Sequence, residues 1–393
     1  MNRHVVYVSR LMDRKNFKSL FINRETMPGQ QAQKFHRLMV QGLIGNDVEV
    51  DVLSGPPITN QNCSRKMVFL KKCTENGISY RYVPTVNIPI IRNLCQLLFS
   101  FIYVCVECLK SDTLVICDVL QGSIAYGSSV ACMLFRKPCV GIVTDLPEML
   151  VTGASDKYVT MVNRVLAQCS HYVFLTEYMN VAVNSGKKPY VVIEGISDSE
   201  INKKIMAMKT QPSKAGITVC MYAGMLEEKY GVKALVEAFL QAGVETAELH
   251  IYGNGSYAPE LKDISEHNAN IVYHGSVLIE EVEKAELQAD LLINPRPSTE
   301  EFTKFSFPSK NMEYMASGTP ALITRLPGIP DEYYKYVYVF DDESVQGMAE
   351  TIRTVLSLPR ESRRELGRQA QLFVINKKNE IVQAKTLIDA LFS

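Results

Sequence analysis

The sequence predicts an α/β protein made of two Rossmann-like, doubly wound domains. A chain of 393 residues with 47% hydrophobic residues can bury a substantial core, and its length suggests two domains. Short apolar strands alternate with helical segments over residues 4–196, and the same alternation restarts after residue 215. Residues 197–215 between them are polar and rich in lysine, which is typical of a linker. Ligand-type loops follow several strands, so we expect a cleft between the domains.

Composition excludes some classes of protein. The formal net charge is zero, which argues against a dedicated nucleic-acid binder. The longest apolar run, residues 93–106, has 14 residues and is shorter than the ~20 that a membrane-spanning helix needs. The N-terminus passes from Met1 to His4 and then into a strand, without the apolar region of a signal peptide. We therefore expect a cytoplasmic protein.

The ten cysteines all precede residue 221 and show no regular spacing. Cys105 and Cys108 form a lone C-x-x-C inside an apolar helical stretch, with no second pair to complete a zinc site. Buried free thiols in a reducing cytosol are the preferred interpretation, and no metal site is predicted.

The first domain opens with a strand at residues 4–8, a polar loop that reaches Gly29, and a helix at residues 34–43. A single glycine is a weak signal, so Gly29 belongs either to a ligand loop or to an ordinary βα turn. Asp145 follows a strand predicted at residues 138–143, where ligands of open α/β sheets bind. Its carboxylate either orients a substrate or caps the next turn.

Residues 60–110 contain seven Lys or Arg and two acids. The same region includes an apolar helix predicted at residues 94–109. Basic residues beside an apolar helix can dock on an anionic membrane surface. The alternative is a buried helix preceded by a solvated basic loop.

The second domain contains the stretch that organises the prediction, residues 301–320. Ser306 is the expected N-cap and Gly318 the left-handed stop of a helix over residues 308–317. Its free N–H groups, the hydroxyls of Ser306 and Ser309, and Lys310 would hold a phosphate. Glu313 follows at a distance that suits a ribose hydroxyl. Any capped helix can carry Ser and Lys near its start, so this pattern alone is ambiguous.

The residues from Glu313 to Pro320, Glu-Tyr-Met-Ala-Ser-Gly-Thr-Pro, resemble the E-A-M-A-x-G-x-P segment of retaining nucleotide-sugar glycosyltransferases of family four (group 1). The Phe-Pro-Ser-Lys ahead of them resembles a subgroup of bacterial cell-surface polysaccharide enzymes. The loop from Gly224 resembles the family's G-R-L-x-x-x-K-G donor loop, with Met225 in place of its arginine and one residue added before the last glycine. A second departure is Phe305, where the family has another glutamate.

This resemblance implies the GT-B fold, in which two Rossmann-like doubly wound domains face each other across a cleft. An acceptor-binding domain would span residues 1–196, completed by a C-terminal helix at about 376–393, and a donor-binding domain would span residues 216–375 after the linker. The apolar spacing of Ile381, Ala384, Leu387 and Leu391 suits packing of that helix on the first domain.

The resemblance also assigns roles to residues. Lys229 and Lys310 would neutralise the leaving diphosphate, and Glu313 would hold the ribose. Gly29 and Asp145 would lie on the acceptor side. The remaining donor-binding residues would be Gly224, Gly253, Val277, Phe305, Ser306 and Ser309.

The implied reaction transfers a sugar from a nucleotide-diphosphate sugar to a hydroxyl of a glycan or lipid-linked acceptor, with retention and without metal or cofactor. The setting would be cell-surface polysaccharide synthesis at the inner face of the membrane, with contact through residues 65–109. One alternative is a nucleotide-sugar epimerase or a phosphorylase on the same fold, but neither the acid/base residues nor the cofactor lysine they need is visible. The other is a non-catalytic partner subunit, which the departures at Met225 and Phe305 keep open.

Overall fold

The computed structural model describes residues 4–21, 28, 31–110, 112–149, 154–207 and 216–392. The chain divides into two compact units. Unit 1 comprises Met1–Ile196 and Glu380–Ser393, and unit 2 comprises Ser197–Asn379. Each unit has its own hydrophobic core and its own sheet.

Unit 1 is built on a predominantly parallel sheet. Its described strands are β1 His4–Ser9, β2 Glu49–Ser54, β3 Met67–Val68, β4 Cys73–Glu75, β5 Ile78–Tyr82, β6 Thr85–Val86, β7 Thr113–Asp118, β8 Cys139–Val143, β9 His171–Phe174 and β10 Tyr190–Val192. Eight of them form the sheet in the order β10-β9-β8-β7-β1-β2-β5-β4, with β4 antiparallel to its neighbour. β3 and β6 form a separate antiparallel ribbon. The strands of the sheet's centre are buried on both faces, as parallel strands are.

Helices cover this sheet. The described helices of unit 1 are α1 Arg14–Leu20, α2 Gln31–Gly45, α3 Pro89–Cys108, α4 Ser123–Phe135, α5 Asp156–Gln168, α6 Glu177–Val183 and, from the end of the chain, α14 Glu380–Phe392. Ala384 and Leu387 of α14 are fully buried in the core of unit 1. A Cβ at Gly42 of α2 would overlap the carbonyl of Glu380, so the two helices pack with their backbones close together.

Unit 2 has a second parallel sheet. Its strands are β11 Thr218–Ala223, β12 Ala247–Tyr252, β13 Ile271–Gly275, β14 Leu291–Asn294, β15 Ala321–Thr324 and β16 Tyr338–Phe340. In the described part of the chain they run in the order β13-β12-β11-β14-β15-β16. The helices are α7 Ser199–Ala207, α8 Val232–Ala242, α9 Ala258–His267, α10 Ile279–Gln288, α11 Ser309–Ser317, α12 Val345–Ser357 and α13 Arg360–Lys377.

Two segments differ from the sequence prediction. The predicted linker contains the helix α7, because Asp198 accepts hydrogen bonds from the backbone N–H groups of Glu200 and Ile201 and so caps its start. The apolar helix predicted at residues 94–109 is α3, which has 20 residues because it begins earlier, at Pro89, and it includes Arg92 and Glu107 near its two ends. By length and composition α3 is the one helix among the described residues that could cross a membrane.

All ten cysteines are free thiols, and seven of them are buried. Cys139 lies in β8 with its Sγ 3.9 Å from that of Cys117 and 4.0 Å from that of Cys169. Burial and hydrogen bonds among these thiols hold the pKa of Cys117 well above its usual value. Such thiols behave as small apolar side chains of the core.

Candidate functional site

The predicted donor residues of unit 2 gather at the carboxyl edge of its sheet. β11 and β14 are neighbouring parallel strands, so the loops that follow Ala223 and Asn294 lie side by side. Gly224 opens the first of these loops. Gly253 follows β12 with a φ of 138°, and a Cβ there would overlap the carbonyl of Gly224. The two predicted glycines therefore touch, and only glycine fits at position 253.

The helix α11 begins one residue later than predicted. Its N-cap is Pro308, which has no capping side chain, and Gly318 ends the helix with a φ of 78°. The prediction that Ser306 is the N-cap is wrong: its hydroxyl donates to the carbonyl of Phe302 at 3.1 Å and closes the preceding 3₁₀ turn. Ser309 is exposed in the first turn of α11, where backbone N–H groups face outward.

Two buried side chains fix α11 against the sheet edge. The hydroxyl of Tyr314 accepts a hydrogen bond from the backbone N–H of Ala223 at 3.2 Å. The amide oxygen of Asn311 accepts from the side chain of Asn294 at 2.6 Å. Since Ala223 and Asn294 end β11 and β14, the start of α11 is held beside the two ligand-type loops.

Lys310 is already paired with carboxylates. Its Nζ lies 3.1 Å from Glu313 Oε2 and 3.3 Å from Glu286 Oε1, and the side chain of Glu286 is only 7% exposed. Burial lowers the pKa of Lys310, but the two carboxylates raise it by more, so that it lies above its usual value. Burial also raises the pKa of Glu286, which Lys310 only partly offsets. The charge of Lys310 is thus balanced inside the protein.

A second group of cations lies at the same edge and is built on aromatic rings. Lys229 Nζ is 5.3 Å from the centroid of the Tyr230 ring, and the guanidinium carbon of Arg296 is 5.0 Å from that centroid. Arg296 also lies 5.4 Å from the ring centroid of Phe302. Both distances fall in the range of cation–π attraction. Lys229 is exposed and Arg296 half-buried, so the group presents one solvated and one desolvated cation.

Arg296 has no ion pair with a carboxylate among the described residues, and its Nε is buried without a hydrogen-bond partner. Burial lowers the pKa of Arg296. A desolvated guanidinium whose Nε lacks a hydrogen-bond acceptor is costly in the free protein. The arrangement is therefore suited to an anionic ligand that supplies the missing acceptors.

Gly231 brings the Lys229 loop against β14. It adopts a φ of 78°, and a Cβ there would overlap the carbonyl of Pro295. This close approach places Tyr230 next to Arg296. Gly231, which closes the predicted donor loop, is thus needed to hold that loop against the residues after β14.

Two other predicted donor residues lie at the edges of this region. Val277 is half-buried just after β13, where the hydroxyl of Tyr273 donates to the carbonyl of Gly253. Phe305 is half-buried and ends the 3₁₀ turn Glu301–Lys304. Its backbone N–H donates to the carbonyl of Phe302, so position 305 offers neither a carboxylate nor a free donor.

In unit 1, Asp145 lies at the carboxyl end of β8. Desolvation and the charge of Asp118 raise the pKa of its carboxyl, and a hydrogen bond with Thr144 lowers it. The resulting pKa is about 6. Asp145 is exposed as a residue, whereas Asp118 at the end of the neighbouring strand β7 is 3% exposed. Gly29, the other predicted acceptor-side residue, lies outside the described residues.

Sequence reasoning missed a buried polar chain beside Asp145. Asp118 Oδ2 lies 3.0 Å from His36 Nε2, and His36 Nδ1 is 2.7 Å from the hydroxyl of Tyr7. Burial raises the pKa of Asp118, but His36 and the hydrogen bonds from Gln121 and Leu120 lower it further, to below its usual value. These residues are 29 or more positions apart, so no local pattern could reveal them.

Two negative observations delimit the site. Among the described residues, no group of three or more His, Cys, Asp or Glu is placed to hold a metal ion. A cavity of about 340 Å³ occurs in unit 2, but Asp290 and Pro320 in its lining precede β14 and β15. The cavity therefore lies at the amino edge of the sheet, away from Lys229 and Arg296.

Comparison with known proteins shows what this part of the chain is similar to. Residues 217–357 match the family model described as Glycosyl transferases group 1, which covers 141 of the 393 residues. The matched stretch includes the Lys229 loop, Arg296 and α11. No curated protein matches the chain.

Solved structures show the fold of the whole chain. HepE of Anabaena, in complex with UDP, superposes with a TM-score of 0.65 at 12% identity, over 100% of this chain and 99% of that one. The lipopolysaccharide outer core galactosyltransferase WaaB, in its apo form, gives a TM-score of 0.62 at 12% identity, over 99% of both chains. The Escherichia coli trehalose-6-phosphate structure, bound with UDP-2-fluoro glucose, gives 0.69 at 12% identity, over 99% and 98%. The chain has the two-domain GT-B fold of these glycosyltransferases.

Proposed function

We propose that the protein is a glycosyltransferase that moves a hexose from a nucleotide-diphosphate sugar to an acceptor hydroxyl with retention. The observation that carries this proposal is the placement of Lys229, Tyr230 and Arg296 beside the start of α11, inside the stretch that matches group 1 glycosyltransferases. Two cations on one ring, one of them lacking a carboxylate partner, suit a diphosphate.

The chemistry follows from charge. When the bond between the sugar and the diphosphate breaks, negative charge builds on the leaving oxygen. Lys229, Arg296 and the N–H groups at the start of α11 would neutralise it, so the mechanism needs no metal or cofactor. The acceptor oxygen forms its bond on the face that the diphosphate leaves, and its proton passes to the leaving diphosphate. Glu313, held by Lys310, would accept a hydrogen bond from the ribose.

The biological setting is proposed from the proteins of similar structure. WaaB is described as a lipopolysaccharide outer core galactosyltransferase, and HepE was solved with UDP. We place this protein in the cytoplasm at the inner face of the membrane, in cell-surface polysaccharide synthesis, acting on a glycan or lipid-linked acceptor. Asp145 at the end of β8 is the proposed acceptor-side residue of unit 1, and nucleic acid is not a proposed partner.

The test is a screen of the purified protein against nucleotide diphosphates and their sugars. We expect one nucleotide to raise the melting temperature, one matching donor to be hydrolysed slowly, and the released sugar to keep its anomeric configuration by proton NMR. Arg296→Met should reduce the thermal shift at a given nucleotide concentration. Arg325→Met is the matched control, because Arg325 also lies over a tyrosine ring, 4.3 Å from that of Tyr334, but pairs with Asp341.

A non-catalytic partner subunit is the second candidate. Met225 is 56% exposed where the family has a phosphate-binding arginine, and Lys310 is occupied by two carboxylates. Binding of a nucleotide without turnover of any donor, in the presence of lipid extract, would favour this candidate. Absence of binding to every nucleotide tested would contradict both.

A further inference from the structure

Helix α3 of unit 1 buries polar side chains and exposes apolar ones. Its buried side chains include Gln96, Ser100 and Glu107. Its exposed side chains form an apolar stripe with a spacing of four residues: Ile90, Leu94, Leu98, Ile102 and Val106. Ile90 is 82% exposed and Val106 is 56% exposed. A helix of a water-soluble surface shows the opposite arrangement, so this stripe, named here the α3 face, is suited to a non-aqueous environment.

Neighbouring elements extend the apolar surface at both ends of the helix. At the N-terminal end, the ribbon of β3 and β6 packs on α3, and the nearby Met67 and Phe69 are 57% and 65% exposed. At the C-terminal end, α4 ends with Met133 and Leu134, which are 54% and 61% exposed. So many exposed large apolar side chains on one helix and on the elements packed with it are unusual for a monomer surface.

The exposed charged residues that flank β3 and follow α4 are basic. Arg65, Lys66 and Lys71 are exposed on either side of β3, and Arg136 is exposed at the end of α4. The two acids of residues 61–110 are engaged elsewhere, since Glu75 accepts from the backbone of Arg14 and Glu107 pairs with Lys110. Residues 123–137 contain no acid. A second copy of the chain would bring like charges together, whereas an anionic lipid surface would attract them.

The packing of α3 against the rest of unit 1 indicates whether this helix lies on a membrane or crosses it. A Cβ at Gly127 of α4 would overlap the carbonyl of Leu97, so the two helices are in close backbone contact. The hydroxyl of Thr113, the first residue of β7, donates to the carbonyl of Glu107. A helix fixed on one side to the fold, with its polar residues buried there, offers only its other side to lipid.

We infer that unit 1 docks on an anionic bilayer by inserting the α3 face into the interfacial region, with the flanking Lys and Arg side chains at the headgroups. The inference concerns unit 1 alone and does not need the donor site. It can therefore fail while the proposed transferase function holds, and the reverse is also true.

The experiment is co-sedimentation of the full chain with two kinds of vesicle, phosphatidylcholine alone and phosphatidylcholine with about one third phosphatidylglycerol. Binding is expected to the anionic vesicles and to weaken with salt. Lys66→Gln and Lys71→Gln should each lower partitioning about fivefold, from about 1 kcal/mol per basic residue. Lys157→Gln, an exposed lysine of α5, is the control.

The apolar contribution is tested by the double variant Leu98→Gln and Ile102→Gln, which should lower partitioning about tenfold or more. Val181→Gln is its control, because Val181 is 78% exposed on α6 of the same unit. A thermal melt with the same transitions as the unaltered protein would show that each variant is folded. Equal binding of the double variant and its control, or no binding of the unaltered protein at low salt, would overturn the inference. So would a dimer in lipid-free solution that the double variant abolishes.

Discussion

The guanidinium of Arg296 lies 5.0 Å from the ring centroid of Tyr230, on a ring that Lys229 also approaches, at 5.3 Å. Arg296 lies two residues after the end of β14 and Tyr230 belongs to the loop after β11, so the contact joins the loops at two neighbouring strand ends. The family resemblance placed an arginine at position 225, where this chain has Met225. Arg296 supplies a guanidinium from the adjacent strand instead, and it reaches the edge where the diphosphate is proposed to bind.

Arg296→Met should weaken binding of the preferred nucleotide diphosphate by about tenfold to a hundredfold, as for loss of hydrogen bonds to a charged group. Stability without nucleotide should stay the same or rise, because the substitution removes a desolvated cation that lacks a carboxylate partner. Titration calorimetry and thermal melts measure the two quantities. A variant that loses stability but binds nucleotide normally would assign Arg296 to packing rather than to binding.

Lys229→Ala should lower turnover by about one to three orders of magnitude, since an ammonium at the leaving group acts mainly in the transition state. Lys233→Ala is the matched control. Lys233 is the second residue of α8 and pairs with Glu260 at 3.4 Å. Steady-state assays of donor hydrolysis compare the two variants. Equal rates in both would remove Lys229 from the proposed mechanism.

Breaking a buried ion pair typically costs about 3–5 kcal/mol of unfolding free energy. Lys310→Met should cost about 3 kcal/mol or less, because it leaves the buried Glu286 without its cation. The partial exposure of Lys310, 28% of its side chain, places the loss at that lower end. The double variant Lys310→Met and Glu286→Gln should recover most of the stability, since neither charge remains. Urea unfolding at neutral pH measures these differences.

The same pair of variants separates two roles of Lys310. If the lysine only balances the buried charge of Glu286, the double variant should be both stable and active. If it also contacts the diphosphate, the double variant should be stable and slow. A single variant that unfolds in urea like the unaltered protein would contradict the pairing with Glu286.

The strands could be predicted because parallel strands buried on both faces are short apolar runs. The strands predicted at residues 4–8 and 138–143 are observed as His4–Ser9 and Cys139–Val143, within one residue of the predicted bounds. The short ribbon of β3 and β6 was missed, since two residues in each strand carry no periodicity. The N-cap of α11 was misplaced because Ser306 and Pro308 are compatible with two helix starts, and the hydrogen bond from Ser306 to Phe302 decides between them.

The candidate site was only partly predictable for a different reason. Lys229, Lys310 and Glu313 are close in sequence to motif residues and could be found. Glu286 lies 24 positions from Lys310 on another helix, so nothing near either residue shows that the lysine is paired. Tertiary contacts of this kind determine which cationic side chain is available to bind a ligand.

Asp145→Asn should raise the apparent melting temperature above pH 6 and have little effect near pH 4. Desolvation, together with the charge of Asp118, raises the pKa of Asp145 to about 6, so the folded state favours the protonated carboxyl. The stability that this group contributes is therefore fully present below the unfolded pKa of about 4 and is lost as the pH rises through 6. The uncharged asparagine avoids that loss, and its melting temperature should be about 1–3 °C higher than that of the unaltered protein above pH 6. Thermal melts at pH 4 and pH 7.5 measure this difference, and Glu148→Gln, which changes an exposed carboxylate three residues further on, is the control. An effect that is equal at the two pH values would show that Asp145 is not desolvated, and would weaken its assignment to the acceptor side.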